Sequence, residues 1–322
     1  MDKKRYGLLE IYRLLFSFMP LYYHSFFFFE RNYDIFEVPE LAVDFFFMLS
    51  GFFLMRSMRK LKDEKIFAGI GKIMFGRVKP MLFTIGFIAA FDFICILLFL
   101  RGGDLAFYID IFFELFKYWW FVVYLTIVIG VYYLIYRLLK SEKKFIVFLA
   151  FVAFAMACLH YCVVGLGMWS WRVLFTTRAF GCVSTGILVS YIPGLKIKKF
   201  NPSIPIVALL IPIILYLYYN DKDFFICIAL IAMFAALIYF STHIPVGGKI
   251  FDLIGKLSVR MYLYMAFLTM LYLLGLTHHR ILFVIDIALA FMDVTLTYYR
   301  DKYNALKKQK SEAIPEPVLA TK

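Results

Sequence analysis

The chain has 322 residues, 63% of them hydrophobic and 20% aromatic, and a formal charge of +13. That apolar share excludes an ordinary soluble domain and a disordered chain, and it marks a polytopic membrane protein. The 35 Lys and Arg against 22 Asp and Glu suit cytoplasmic loops and anionic lipid as well as nucleic acid, so their positions have to decide.

A crossing needs about 20 mostly apolar residues. On that rule ten spans are expected, at 7–29, 39–58, 78–100, 112–136, 145–165, 174–194, 203–219, 224–242, 258–276 and 280–299. With the N-terminus inside, 27 of the 35 basic residues fall on inner segments, so the positive-inside rule places both termini in the cytoplasm. The charge is therefore topology, and no nucleic-acid partner is expected. The expected fold is all-α, one transmembrane bundle over residues 1–302. A polar, Pro-containing cytoplasmic tail over 303–322 is expected to be flexible. The apolar stretch behind the basic N-terminus is longer than a signal-peptide core and lacks a small-residue cleavage site, so it is expected to stay.

The first span contains "EIYRLLFSFMPLYYHSFFFF", residues 10–29, with Glu10, Arg13 and His24 in an otherwise apolar run. Ionisable groups inside a span face a bundle interior, a cavity or one another. Arg13 and His24 are 11 residues apart, which returns to within about 20° of one helix face and separates them by about 16 Å. Both are expected to look into one cavity at two depths. Arg13 near the inner mouth suits phosphate, and snorkelling to the inner headgroups accounts for it equally well. A neutral His24 would serve as a general base, or as a structural hydrogen-bonding group near the outer interface. Glu10, three residues before Arg13, is placed to pair with it.

The second span opens with Asp44, placed to orient His24 or to meet a sugar hydroxyl, and carries Ser50 and Gly51. This small pair lets another helix or a thin ligand chain come close. Further along, Trp119, Trp120, Trp169 and Trp171 lie near expected outer ends, as interface anchors or as platforms for sugar rings. Arg172 and Arg178 stand on the outside against the charge rule and suit an anionic or phosphate-linked acceptor. The five cysteines, Cys95, Cys158, Cys162, Cys182 and Cys227, lie in apolar runs and read as buried hydrophobes. His160 points away from Cys158 and Cys162 on the helix, so no metal is expected.

These motifs resemble the integral-membrane acyltransferase family 3, whose members move acyl groups from the cytoplasm to extracytoplasmic sugars. Arg13 and His24 match its arginine, ten residues, histidine signature. The run from Asp44 to Phe52 reproduces its acidic residue leading into F-F-x-L-S-G-F. Arg77, Lys79 and Pro80 match a basic, basic, proline run. Trp120, Phe121 and Leu125 resemble W-F-x-x-x-L, and Arg178, Phe180 and Gly186 resemble an arginine, phenylalanine, glycine pattern. The likeness runs to about residue 190 and returns weakly at Ser258, Tyr262 and Leu263, where Met265 stands in place of the family's late histidine.

The resemblance implies an acyl-coenzyme A donor, most simply acetyl-CoA, a carbohydrate acceptor, and residence in a bacterial inner membrane. Arg13, Arg77 and Lys79 would engage the donor's phosphates while the pantetheine arm rises past Ser50 and Gly51. His24 would act with Arg13 and Asp44 in the transfer, as base or as momentary acyl carrier. The alternative is a transporter or flippase of lipid-linked sugar, which would also need intramembrane charges.

Overall fold

The computed structural model describes residues 6–27, 39–99, 120–165, 171–192, 224–243, 248–273 and 279–312. Among these the chain is helical, with no strand. The helices are α1 (Gly7–Phe27), α2 (Pro39–Lys60), α3 (Ile66–Val78), α4 (Leu82–Phe99), α5 (Trp120–Leu139), α6 (Glu142–Gly165), α7 (Trp171–Val189), α8 (Phe224–His243), α9 (Lys249–Leu273) and α10 (His279–Glu312).

Four stretches are long and apolar enough to cross a membrane: Leu41–Lys60, Trp120–Leu139, Glu142–Val163 and Ile281–Asn304. The pair Ile66–Val78 and Leu82–Cys95, bent by 65°, makes a fifth if taken as one broken span. The described residues are thus all-helical, and several of the helices are apolar enough to suggest a membrane protein. The side chains of α6 separate as a lipid-facing helix requires: Phe145, Leu149 and Val152 are buried, while Val147, Phe151 and Phe154 are exposed on the opposite face. The expected span at 203–219 lies outside the described residues.

Two boundaries differ from the sequence expectation. Residues 66–78, expected as part of a basic inner loop, form α3, which packs on α5 through the buried Ile73 and through Met74 and Ile70 beside Gly130. Lys72 does not interrupt it because it is exposed off that seam, while the half-buried Arg77 lies on the seam side at the last turn. The chain after residue 302 continues α10 to Glu312, since "YNALKKQKSE" consists mostly of good helix formers and Pro315 comes only later.

α1 is the centre of the bundle, in contact with α2, α8, α9 and α10. Phe16 stacks on Phe45 of α2 at 4.4 Å and meets Phe234 of α8 edge-on at 5.5 Å. Such pairs stabilise the junction by about 1 kcal/mol each beyond their buried area. α2 lies along α7, α6 along α7, and α9 along α10.

Candidate functional site

The first group of polar residues gathers at the end of the bundle where α2 finishes and α3 begins, here termed the basic end. Arg13 Nη1 donates to Glu10 Oε2 at 2.7 Å, one helical turn away, as the sequence spacing requires. The Glu10 carboxylate rests on Gly255 of α9, where a Cβ would come within 2.1 Å of Oε2. The Glu10 carboxylate that pairs with Arg13 thus lies against α9. Arg77, at the C-terminal end of α3, is half-buried and within electrostatic reach of Arg13. Two guanidinium groups thus share a neighbourhood with one carboxylate, leaving net positive charge. Lys79 is exposed at the bend between α3 and α4.

Beside this group lies a cavity of about 450 Å³, lined by Tyr6, Phe52, Phe53, Arg56, Arg59 and Lys60 among others. Tyr6 immediately precedes α1, so the cavity lies against the start of the helix that carries Arg13. Arg59 is engaged with Glu142 at 3.0 and 2.9 Å and lies over the Tyr191 ring at 5.0 Å. Arg56 and Lys60 are exposed at its rim. The sequence reading treated residues 56–60 as topology signal, and only the fold shows that they frame a cavity with aromatic walls.

The second group lies on the seam between α2 and α7. Arg178 meets Asp44 twice, Nε to Oδ1 at 3.2 Å and Nη2 to Oδ2 at 3.3 Å, and both side chains are largely buried. Arg178 was expected to bind acceptor, but the Asp44 carboxylate neutralises it. Its presence against the charge rule is explained by a partner 134 positions away. His160 on α6 places Nδ1 3.2 Å from Thr177 Oγ1, beside Arg178.

Three further expectations are corrected on the same seam. A Cβ on Gly51 would lie 2.2 Å from the Val183 carbonyl oxygen, and one on Gly186 1.8 Å from that of Met48. The α2 and α7 backbones fill the space reserved for a ligand chain at Gly51, so a pantetheine arm does not pass there. Ser50, the next residue back along α2, is half-buried. Trp120 stacks face to face on Phe175 of α7 at 3.7 Å and 7°, so that ring face is closed to a sugar. The backbones of His24 and Arg172 belong to α1 and α7, but their side chains lie outside the described residues. Pro20 lies inside α1 between Arg13 and His24 and removes one helical donor, which bears on their alignment.

A third group, buried between α4, α9 and α10, was visible in the sequence only as acidic interruptions of the last span. Asp293 accepts from Thr84 Oγ1 at 2.6 Å, Thr297 Oγ1 at 3.1 Å and Tyr264 Oη at 3.4 Å, with Arg260 Nε 3.8 Å away. Asp286 and Asp92 are also buried. Met265 is buried on the same helix as Tyr264.

Comparison of the chain with protein-family models, curated proteins and solved structures finds no match. The functional reading therefore rests on the residues and their geometry.

Proposed function

We propose that the protein is a membrane O-acyltransferase that moves an acyl group from cytoplasmic acyl-CoA to a hydroxyl of an extracytoplasmic or lipid-linked carbohydrate. The observation that carries this reading is the clustered positive charge of Arg13 and Arg77 near the aromatic-walled basic cavity, on the helix that also carries His24. In this reading the basic end faces the cytoplasm and the membrane is a bacterial inner membrane.

The donor's phosphates would meet Arg56, Lys60 and Arg77, with Arg13 at the inner mouth and Glu10 holding its rotamer. The thin pantetheine arm would follow the α1 face from Tyr6 past Arg13, since the α2–α7 seam is closed. His24 would take the proton of the acceptor hydroxyl as its oxygen attacks the thioester carbon. The carbon–sulfur bond breaks, and the proton passes to the departing thiolate, giving the O-acyl sugar and free coenzyme A. Transfer through an acyl-imidazole on His24 uses the same atoms in two steps. Asp44 keeps the outer half of α2 on α7 through Arg178, and Arg172 remains the cation for an anionic acceptor.

The test supplies radiolabelled acetyl-CoA to membranes expressing wild type, Arg13→Ala or His24→Ala and measures label on surface glycan. Loss of transfer in both variants, with normal insertion, is the expected result. Full transfer by His24→Ala would remove the catalytic assignment.

A further inference from the structure

Asp286 is fully buried, and neither of its carboxyl oxygens has a hydrogen-bond partner among the described residues. Its neighbour Asp293, seven residues along the same face of α10, is in the opposite condition, with three hydroxyl donors. Arg260, the cation that meets Asp293, is poorly spent. Its Nε stands 3.8 Å from Asp293 Oδ2, beyond hydrogen-bond length, and has no hydrogen-bond partner among the described residues, while Nη2 reaches the Pro80 carbonyl at 3.5 Å. The Tyr264 hydroxyl also donates to Asp293. Tyr264, Asp293 and Arg260 thus form a polar cluster that reaches the bend of α3 and α4, and Asp286 lies two turns along α10 from Asp293.

One guanidinium cannot neutralise two carboxylates in this setting. An ionised, unsolvated Asp286 would cost several kcal/mol, so the group exists either as the neutral acid or with a bound cation. A dehydrated metal cation needs several converging oxygens. Among the described residues no three His, Cys, Asp or Glu side chains converge to hold one. We propose that Asp286 is a proton-exchanging carboxyl inside the bundle, set beside the cluster of Tyr264, Asp293 and Arg260.

The step is simple in its balance. A carboxylate gains one proton from water, and the acid returns it to water, with no other reactant. The titratable and charged groups on the elements around it are Asp293 on its own helix, Arg260 and Tyr264 on α9, the buried Asp92 on α4, and Tyr22 on α1, whose ring meets Phe283 one turn from Asp286. This proposal does not rest on the acyl-transfer reading, because it concerns a different face of the bundle and a different ligand.

The probe is dicyclohexylcarbodiimide, an apolar reagent that adds to a protonated carboxyl in a lipid-facing or buried site. The full-length protein in proteoliposomes is treated at constant ionic strength from about pH 6 to about pH 10, a range that brackets a carboxyl buried in an apolar site. Peptide mass spectrometry reads the label at Asp286. Labelling that declines as pH rises is the expected result. With Asp293→Asn the decline should move to lower pH, because Arg260 then faces a single carboxyl. Labelling that is absent throughout, or constant across the range, would overturn the proposal. So would protection by sodium at fixed pH, which would identify a cation site, and so would a decline that does not move to lower pH in Asp293→Asn.

Discussion

Two buried ion clusters in this protein use the same residue types and are satisfied to different degrees. On the α2–α7 seam, Asp44 and Arg178 meet through two contacts at 3.2 and 3.3 Å. Between α9 and α10, Arg260 stands 3.8 Å from Asp293, and Asp286 has no hydrogen-bond partner among the described residues. The first pair is flanked by helices whose backbones touch at Gly51 and Gly186, so nothing moves there without separating α2 from α7. The second has slack in its polar geometry. A closed pair acts as a pin, and an open one leaves a titratable group available for chemistry.

The comparison is most severely tested by removing one half of the closed pair. Arg178→Met removes the cation that Asp44 meets across the seam and should cost about 4 kcal/mol, read as a lowered thermal unfolding temperature in detergent. Adding Asp44→Leu should return much of that loss. Equal instability in the single and double variants would show that the pair does not pin the seam. Gly186→Ala drives a methyl into the Met48 carbonyl and should cost about 2 to 3 kcal/mol by the same measurement. At the basic end, the Arg56→Ala and Lys60→Ala double variant should raise the acyl-CoA KM roughly 30-fold, equal to about 2 kcal/mol, with little change in kcat or unfolding temperature. The smallest effect belongs to Lys72→Ala, which breaks an exposed pair with Glu64 and should change stability by about 0.5 kcal/mol or less.

The parts of this architecture that the sequence reveals are those written in local pattern. Apolar runs locate α1, α2 and α5 to α10, and the three-residue spacing of Glu10 and Arg13 correctly anticipates their ion pair. α3 escaped because Lys72 and Arg77 punctuate a short apolar helix, and charge density was read as loop. Pairings between distant helices escaped for a different reason. Nothing within 20 residues of Arg178 announces Asp44, and Asp293 looks like an interruption until Thr84, Tyr264 and Thr297 are seen around it. Gly51 was compatible with a neighbouring helix or a ligand, and only the reciprocal approach of Gly186 decides between them.

The central claim is that the basic end receives an anionic thioester donor through Arg13 and the cavity beside it. Binding of radiolabelled acetyl-CoA to the purified protein in lipid nanodiscs measures this directly. The account predicts saturable binding that free coenzyme A displaces and dephosphorylated pantetheine does not, weakened roughly 30-fold in Arg13→Gln. Absence of saturable binding, or an affinity left untouched by Arg13→Gln, would contradict it.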